Sequence, residues 1–121
     1  MRPDSFEFTV TIPGDSRLLG AVRLLTTQAA GYAQLSPDAG RDLADEVERA
    51  ADAAMTATQA QDAPIEFQFA GDAKAVTVRI SCAAARSAAT PPSAPSDDGI
   101  SVEWTTSGER RVCHIRQPIP A

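Results

Sequence analysis

The chain is poor in the residues that most often carry chemistry. Of its 121 residues one is histidine and two are cysteine, aromatics make up 5%, and no stretch approaches the roughly 20 apolar residues that a membrane-spanning helix needs. The first residues, Met1-Arg2-Pro3-Asp4-Ser5, hold no apolar run of the kind that directs secretion, so a cytoplasmic protein with no membrane partner is expected. With so few aromatics, and with alanine supplying much of the 43% apolar share, the core must be thin and closely packed. A formal net charge of -5 sets the overall field against phosphate backbones, which speaks against a nucleic-acid partner. The length suits one domain over residues 1–121, with a two-layer core.

No cluster has metal-ligand spacing, and no Gly-x-Ser-x-Gly turn offers a serine to the lone His114. Cys113 and His114 are neighbours in an apparent strand, so they point to opposite faces and cannot form a compact pair. Cys82 and Cys113 both fall in strand-like runs, where small buried thiols are the simpler reading than a cross-strand disulfide in a reducing compartment.

What is present is regular patterning. Phe6, Phe8, Val10 and Ile12 alternate with Glu7, Thr9 and Thr11, which predicts a strand with one buried and one wet face. After the break at Pro13-Gly14-Asp15-Ser16, Leu18, Val22, Leu25, Ala29 and Tyr32 recur at helical spacing. The chain turns near Gln34. Ser36-Pro37-Asp38 then supplies a capping hydroxyl, a first-turn proline and an acid, starting a second helix that runs to about Thr58 on a stripe of Leu43, Val47, Ala50 and Ala54. Ile65, Phe67 and Phe69 form another alternating run, and a turn at Gly71-Asp72 leads into Val76, Val78, Ile80 and Cys82. A second hairpin follows, with Ile100, Val102 and Trp104 before a Ser107-Gly108 turn and Val112 to Ile115 after it. Tryptophan is enriched at interface hot spots, yet this alternation makes Trp104 a core residue.

The expected fold is therefore α+β in the order β-α-α-β-β-β-β: a two-layer α/β sandwich, its sheet mixed but mostly antiparallel, with both helices on one face. The segment 83–98, with Pro91, Pro92 and Pro95 among Ala, Ser and Thr, reads as a flexible loop within the domain. The acids and glycines that bind phosphate or metal are missing just where a catalytic loop would follow the best strand.

The phrases FTVTIPGDSRLLGAVRLLTTQAA, LSPDAGRDLADEVERAADAAM, PIEFQF and VTVRIS, in that order, resemble the first two thirds of the histidine-kinase-like (GHKL) ATPase family. Within it they are similar to the anti-sigma-factor serine kinases of bacterial partner-switching systems. In that family the second helix presents Glu-x-x-x-Asn, the Glu activating a water or hydroxyl and the Asn helping to hold magnesium on the nucleotide. The matching residues are Glu48 and Asp52, with Asp for Asn, although Glu46 with Ala50 fits nearly as well. An Asp at this place could itself bind magnesium. The family's next element, Asp-x-Gly-x-Gly, aligns with Cys82, Ala84 and Arg86, none of which can read an adenine amino group or let backbone approach a nucleotide. The glycine-rich lid is replaced by Ala-Ala-Thr-Pro-Pro-Ser-Ala-Pro, and no third helix is evident between Cys82 and Ile100. Arg23 matches the Val-Arg position of the first helix, which anti-sigma members hold near their protein contacts.

The resemblance thus implies a retained scaffold with its nucleotide site lost: a regulatory module, without catalytic residues, cofactor or metal, that binds a sigma factor or an anti-sigma antagonist. Glu48 and Asp52 are then vestigial, part of a solvated helix face with Arg41 and Arg49 in range. A homodimer through an unblocked first or last strand is compatible with it. Two alternatives stand beside this reading. One is a divergent serine kinase using ATP and magnesium; the other is a small-ligand-binding domain with its pocket between sheet and helices.

Overall fold

The alternating run at the start of the chain forms strand β1 (Phe6–Pro13) in the computed structural model, which describes residues 5–13, 15–57, 64–72, 74–83, 100–107 and 110–119. A 3-10 turn at Ser16–Leu18 leads into helix α1 (Leu19–Tyr32), and helix α2 follows at Pro37–Ala57. Strands β2 (Pro64–Gly71), β3 (Ala75–Ala83), β4 (Ser101–Ser107) and β5 (Arg110–Pro118) complete the order read from the sequence. Ala83 belongs to β3. The rest of the 83–98 stretch, with Ala84 and Arg86 and the question of a third helix, lies outside the described residues.

The helix boundaries have local causes. The Ser36 hydroxyl accepts a bond from the Ala39 amide at 3.2 Å, capping α2 as its sequence predicts. The start of α1 has no side-chain cap: its N-cap is Leu18, and the nearby Asp15 carboxylate is spent on the Arg17 amide at 2.9 Å and on the Arg17 guanidinium. Gln34 adopts a positive φ of 59°, and the Leu35 amide reaches back to the Ala30 carbonyl at 3.0 Å, which closes α1 in the manner of a Schellman motif.

Five strands form one sheet in the order β1-β2-β3-β5-β4, and all four pairings are antiparallel, so the parallel component expected of a mixed sheet is not found among the described strands. β5 inserts between β3 and β4. The last strand is therefore interior and the edges are β1 and β4, so of the first and last strands it is the first that is open. The register sets Val10, Phe67, Ile80 and Cys113 side by side on the core face. Both helices cover that face, α1 against β2 and α2 against β3 and β5.

Phe67, Phe69, Ile65, Val76, Val78 and Ile80 are fully buried beneath Val22, Ala29, Leu43, Val47, Ala51 and Ala54 of the helices. The predicted α1 stripe is partly corrected. Tyr32 is 52% exposed, lying on the rim against Phe6 at a ring distance of 5.7 Å, while Thr26 is fully buried in its place. Thr26 enters the core because its hydroxyl bonds the Val22 carbonyl at 2.9 Å, leaving a β-branched body without an unpaired polar atom. Trp104 packs partly buried against the core, as its alternation implies.

Candidate functional site

The two helices meet along a solvent-facing seam, and there the separately chosen Arg23 and Glu48 come together. Arg23, on the second turn of α1, donates through Nη1 to Asp45 at 2.7 Å and to Glu48 at 3.0 Å on α2. Asp45 and Glu48 stand one turn apart, so a single guanidinium spans both. Hydrogen bonds to Asp45, and secondarily to Glu48, push the Arg23 pKa further above its already high ordinary value. All three side chains remain between 39% and 50% exposed, so the triad fixes geometry more than it adds stability.

Glu48 is thus held from across the helix pair, and the expected help from Arg41 and Arg49 along α2 is corrected. Arg49 pairs instead with Glu46 at 3.0 Å. Asp52 lies one turn beyond Glu48, and with Leu19, Arg23, Asp45 and Arg49 these residues line an open depression of about 520 Å³. Asp45 was missed by the sequence reading; the available signal was an acid three residues before Glu48 on one face of α2.

The depression does not fit magnesium well. Two guanidinium groups, of Arg23 and Arg49, share its lining with the acids, and Glu48 would have to release Arg23 to reach a cation. The chain contains no asparagine, the residue type that holds magnesium in the resembled motif. Among the described residues no group of three or more His, Cys, Asp or Glu is placed to hold a metal ion.

Cys82, which the resemblance aligns with an adenine-reading acid, is fully buried on the core face of β3. It lies opposite Arg111, while Cys113 lies opposite Ile80, so the two thiols are diagonal neighbours. Diagonal positions are about 7–8 Å apart, beyond the usual disulfide span, and neither thiol is in a disulfide. Burial pushes the Cys113 thiol up to about 12, with Cys82 and Glu46 adding to the effect. At pH 8 such a thiol is ionised roughly a thousandfold less than an ordinary one. Folded protein is therefore expected to resist a thiol-specific disulfide reagent that titrates both cysteines in denaturant; fast stoichiometric reaction of native protein would contradict the burial.

His114 is exposed on the outer face of β5, opposite Arg79 and Glu103, with Cys113 buried on the other side of the sheet. The Gly71-Asp72 turn holds as predicted: the Asp72 carboxylate accepts the amides of Lys74 at 2.7 Å and Ala75 at 3.0 Å, bonds that hold its carboxyl below the usual range. No helix among the described residues is long and apolar enough to cross a membrane. Comparison with protein-family models and with curated proteins returns no match for the chain.

Proposed function

We propose that the chain is a non-catalytic regulatory module of the histidine-kinase-like ATPase fold, acting through a protein partner of the sigma-factor or anti-sigma-antagonist class. The observation that carries this reading is the Arg23 bridge to Asp45 and Glu48: the carboxylate at the position of a catalytic base is committed to holding two helices together. The burial of Cys82 at the position of the adenine-reading acid supports it. A contact surface is available beside this seam. Among the described strands β1 pairs only with β2, its core-side residues Phe6, Phe8, Val10 and Ile12 are half-buried, and Leu24 and Tyr32 on α1 are 61% and 52% exposed. An open strand edge flanked by apolar side chains suits pairing with a second copy, and a dimer is the form in which the module is expected to act.

Thermal unfolding with ATP and magnesium tests the reading. A ligand present at a hundredfold excess over its Kd stabilises the native state by about 2.7 kcal/mol, on the order of 10 °C for a domain of this size. No shift is expected at millimolar nucleotide. A clear rise that disappears in Glu48→Ala or Asp52→Ala would establish the divergent kinase instead, and an apolar metabolite retained in native mass spectrometry would favour the small-ligand domain.

A further inference from the structure

The helices cover one face of the sheet, and the other face carries a charge pattern that the helical seam does not use. On the two central strands its outward residues are Thr77, Arg79 and Ser81 of β3 and Arg110, Val112, His114 and Arg116 of β5. Arg79 lies directly opposite His114, and Arg116, opposite Thr77, is its diagonal neighbour. Two arginines at diagonal positions repel mildly, and no acid on β3 or β5 lies between them. Among the described residues no carboxylate lies within 4.0 Å of Arg79 or Arg116, although Arg116 contributes to the field that holds the Asp72 carboxyl low. Arg110 at the other end donates to Ser81 at 2.7 Å, which holds its guanidinium against the sheet.

Among the described residues, the acids of this face lie outside the column. Glu66 on β2 is diagonal to Arg79, Glu103 on β4 is opposite His114, and Glu7 on β1 accepts a bond from Gln68 at 2.9 Å. Six further acids, Asp38, Asp42, Asp45, Glu46, Glu48 and Asp52, belong to α2. A helix is roughly 10 Å thick and the screening length at physiological salt is about 8 Å, so the acids on the far side of α2 scarcely weaken the field at the sheet face.

We propose that the open sheet face, along Arg79, His114, Arg116 and Arg110, is a docking surface for an acidic, extended polypeptide segment of a partner protein. Charge complementarity selects the occupant. Arg110 and Arg116 are six residues apart, about 20 Å along a strand, which an extended segment of similar length spans, and guanidinium groups accept carboxylates in paired hydrogen bonds. Single-stranded nucleic acid is less suited. Such strands are held by stacking on aromatic side chains, and every described residue on this face is non-aromatic. The flanking Glu66 and Glu103 also repel a broad polyanion while leaving the two central strands open to a single chain. This surface is separate from the helical seam, so it stands or falls independently of the regulatory reading above.

The test is fluorescence anisotropy with a labelled peptide of alternating glutamate and serine, set against an oligothymidine of equal charge. The peptide is expected to bind saturably and more tightly than the oligothymidine, with an affinity that falls as salt rises. The Arg79→Glu, Arg116→Glu double variant should weaken it by about tenfold or more, and Arg23→Ala, on the opposite layer, should leave it within about twofold. The neutral pair Arg79→Gln, Arg116→Gln gives an intermediate loss and keeps the test decisive if the charge reversal fails to fold. Absence of saturable binding, unchanged binding in the variants, or tighter binding of the oligothymidine would each overturn the proposal.

Discussion

Phe67→Ala is expected to remove a large part of the stability of the fold. Phe67 is fully buried on β2, its ring 6.4 Å from that of Phe69, and its neighbours across the sheet are Val10 and Ile80. Truncating a buried phenylalanine costs about 3–5 kcal/mol, part of it lost transfer energy and part the void left behind. Domains of this kind are stable by only about 5–15 kcal/mol, so the change takes a large share of the total. A fall in Tm of roughly 12–20 °C is expected by circular dichroism. Phe67→Leu keeps most of the volume and should cost less than about 1.5 kcal/mol. A fall below about 4 °C in the alanine variant would mean that the helices settle onto the sheet and that the core is not rigidly packed at its centre.

This sensitivity was legible in the sequence because period-two alternation and the α2 stripe are local signals. Ile65, Phe67 and Phe69 announce a half-buried strand without reference to anything else in the chain, and Leu43, Val47, Ala50 and Ala54 announce the face of α2 that meets it. Both patterns survive in the structure because burying their apolar sides satisfies local propensity and tertiary packing together.

Strand order was less accessible. Nothing in the β4–β5 hairpin says which of its strands pairs with β3; in the structure it is β5, with β4 beyond it at the edge. The side-chain constellations follow the same logic. Arg23 and Glu48 are twenty-five residues apart and were each singled out for a different reason; only the approach of α1 to α2 makes them partners. The cationic column on the outer face is hidden similarly, since Arg79 and Arg116 become neighbours only through the β3–β5 register. Thr26 was missed because its hydroxyl makes it look like a surface residue, while its bond to the Val22 carbonyl lets it behave as an apolar one.

The close approach of the helices has its own expected result. Ala44, Ala50, Ala51 and Ala54 on α2 are each 5% exposed or less, and a Cβ added at Gly40 would meet the Ala30 Cβ at 3.3 Å. Small residues therefore set the spacing between α1, α2 and the sheet. Ala51→Leu changes helix propensity little and offers more apolar surface, but at a site with no exposure its added carbons must displace a neighbour. A loss of about 1–3 kcal/mol is expected from urea unfolding, against a change within about 0.5 kcal/mol for Ala53→Leu at the half-buried rim. If the leucine pushes the helices apart, it also stretches Arg23 away from Asp45 and Glu48. Arg23→Ala should then matter less in the Ala51→Leu background than in the parent, a coupling that a double-mutant cycle measures directly. Additive effects would place the strain on the sheet side of α2, leaving the seam intact; a stabilised Ala51→Leu would mean that alanine there leaves space the fold does not need.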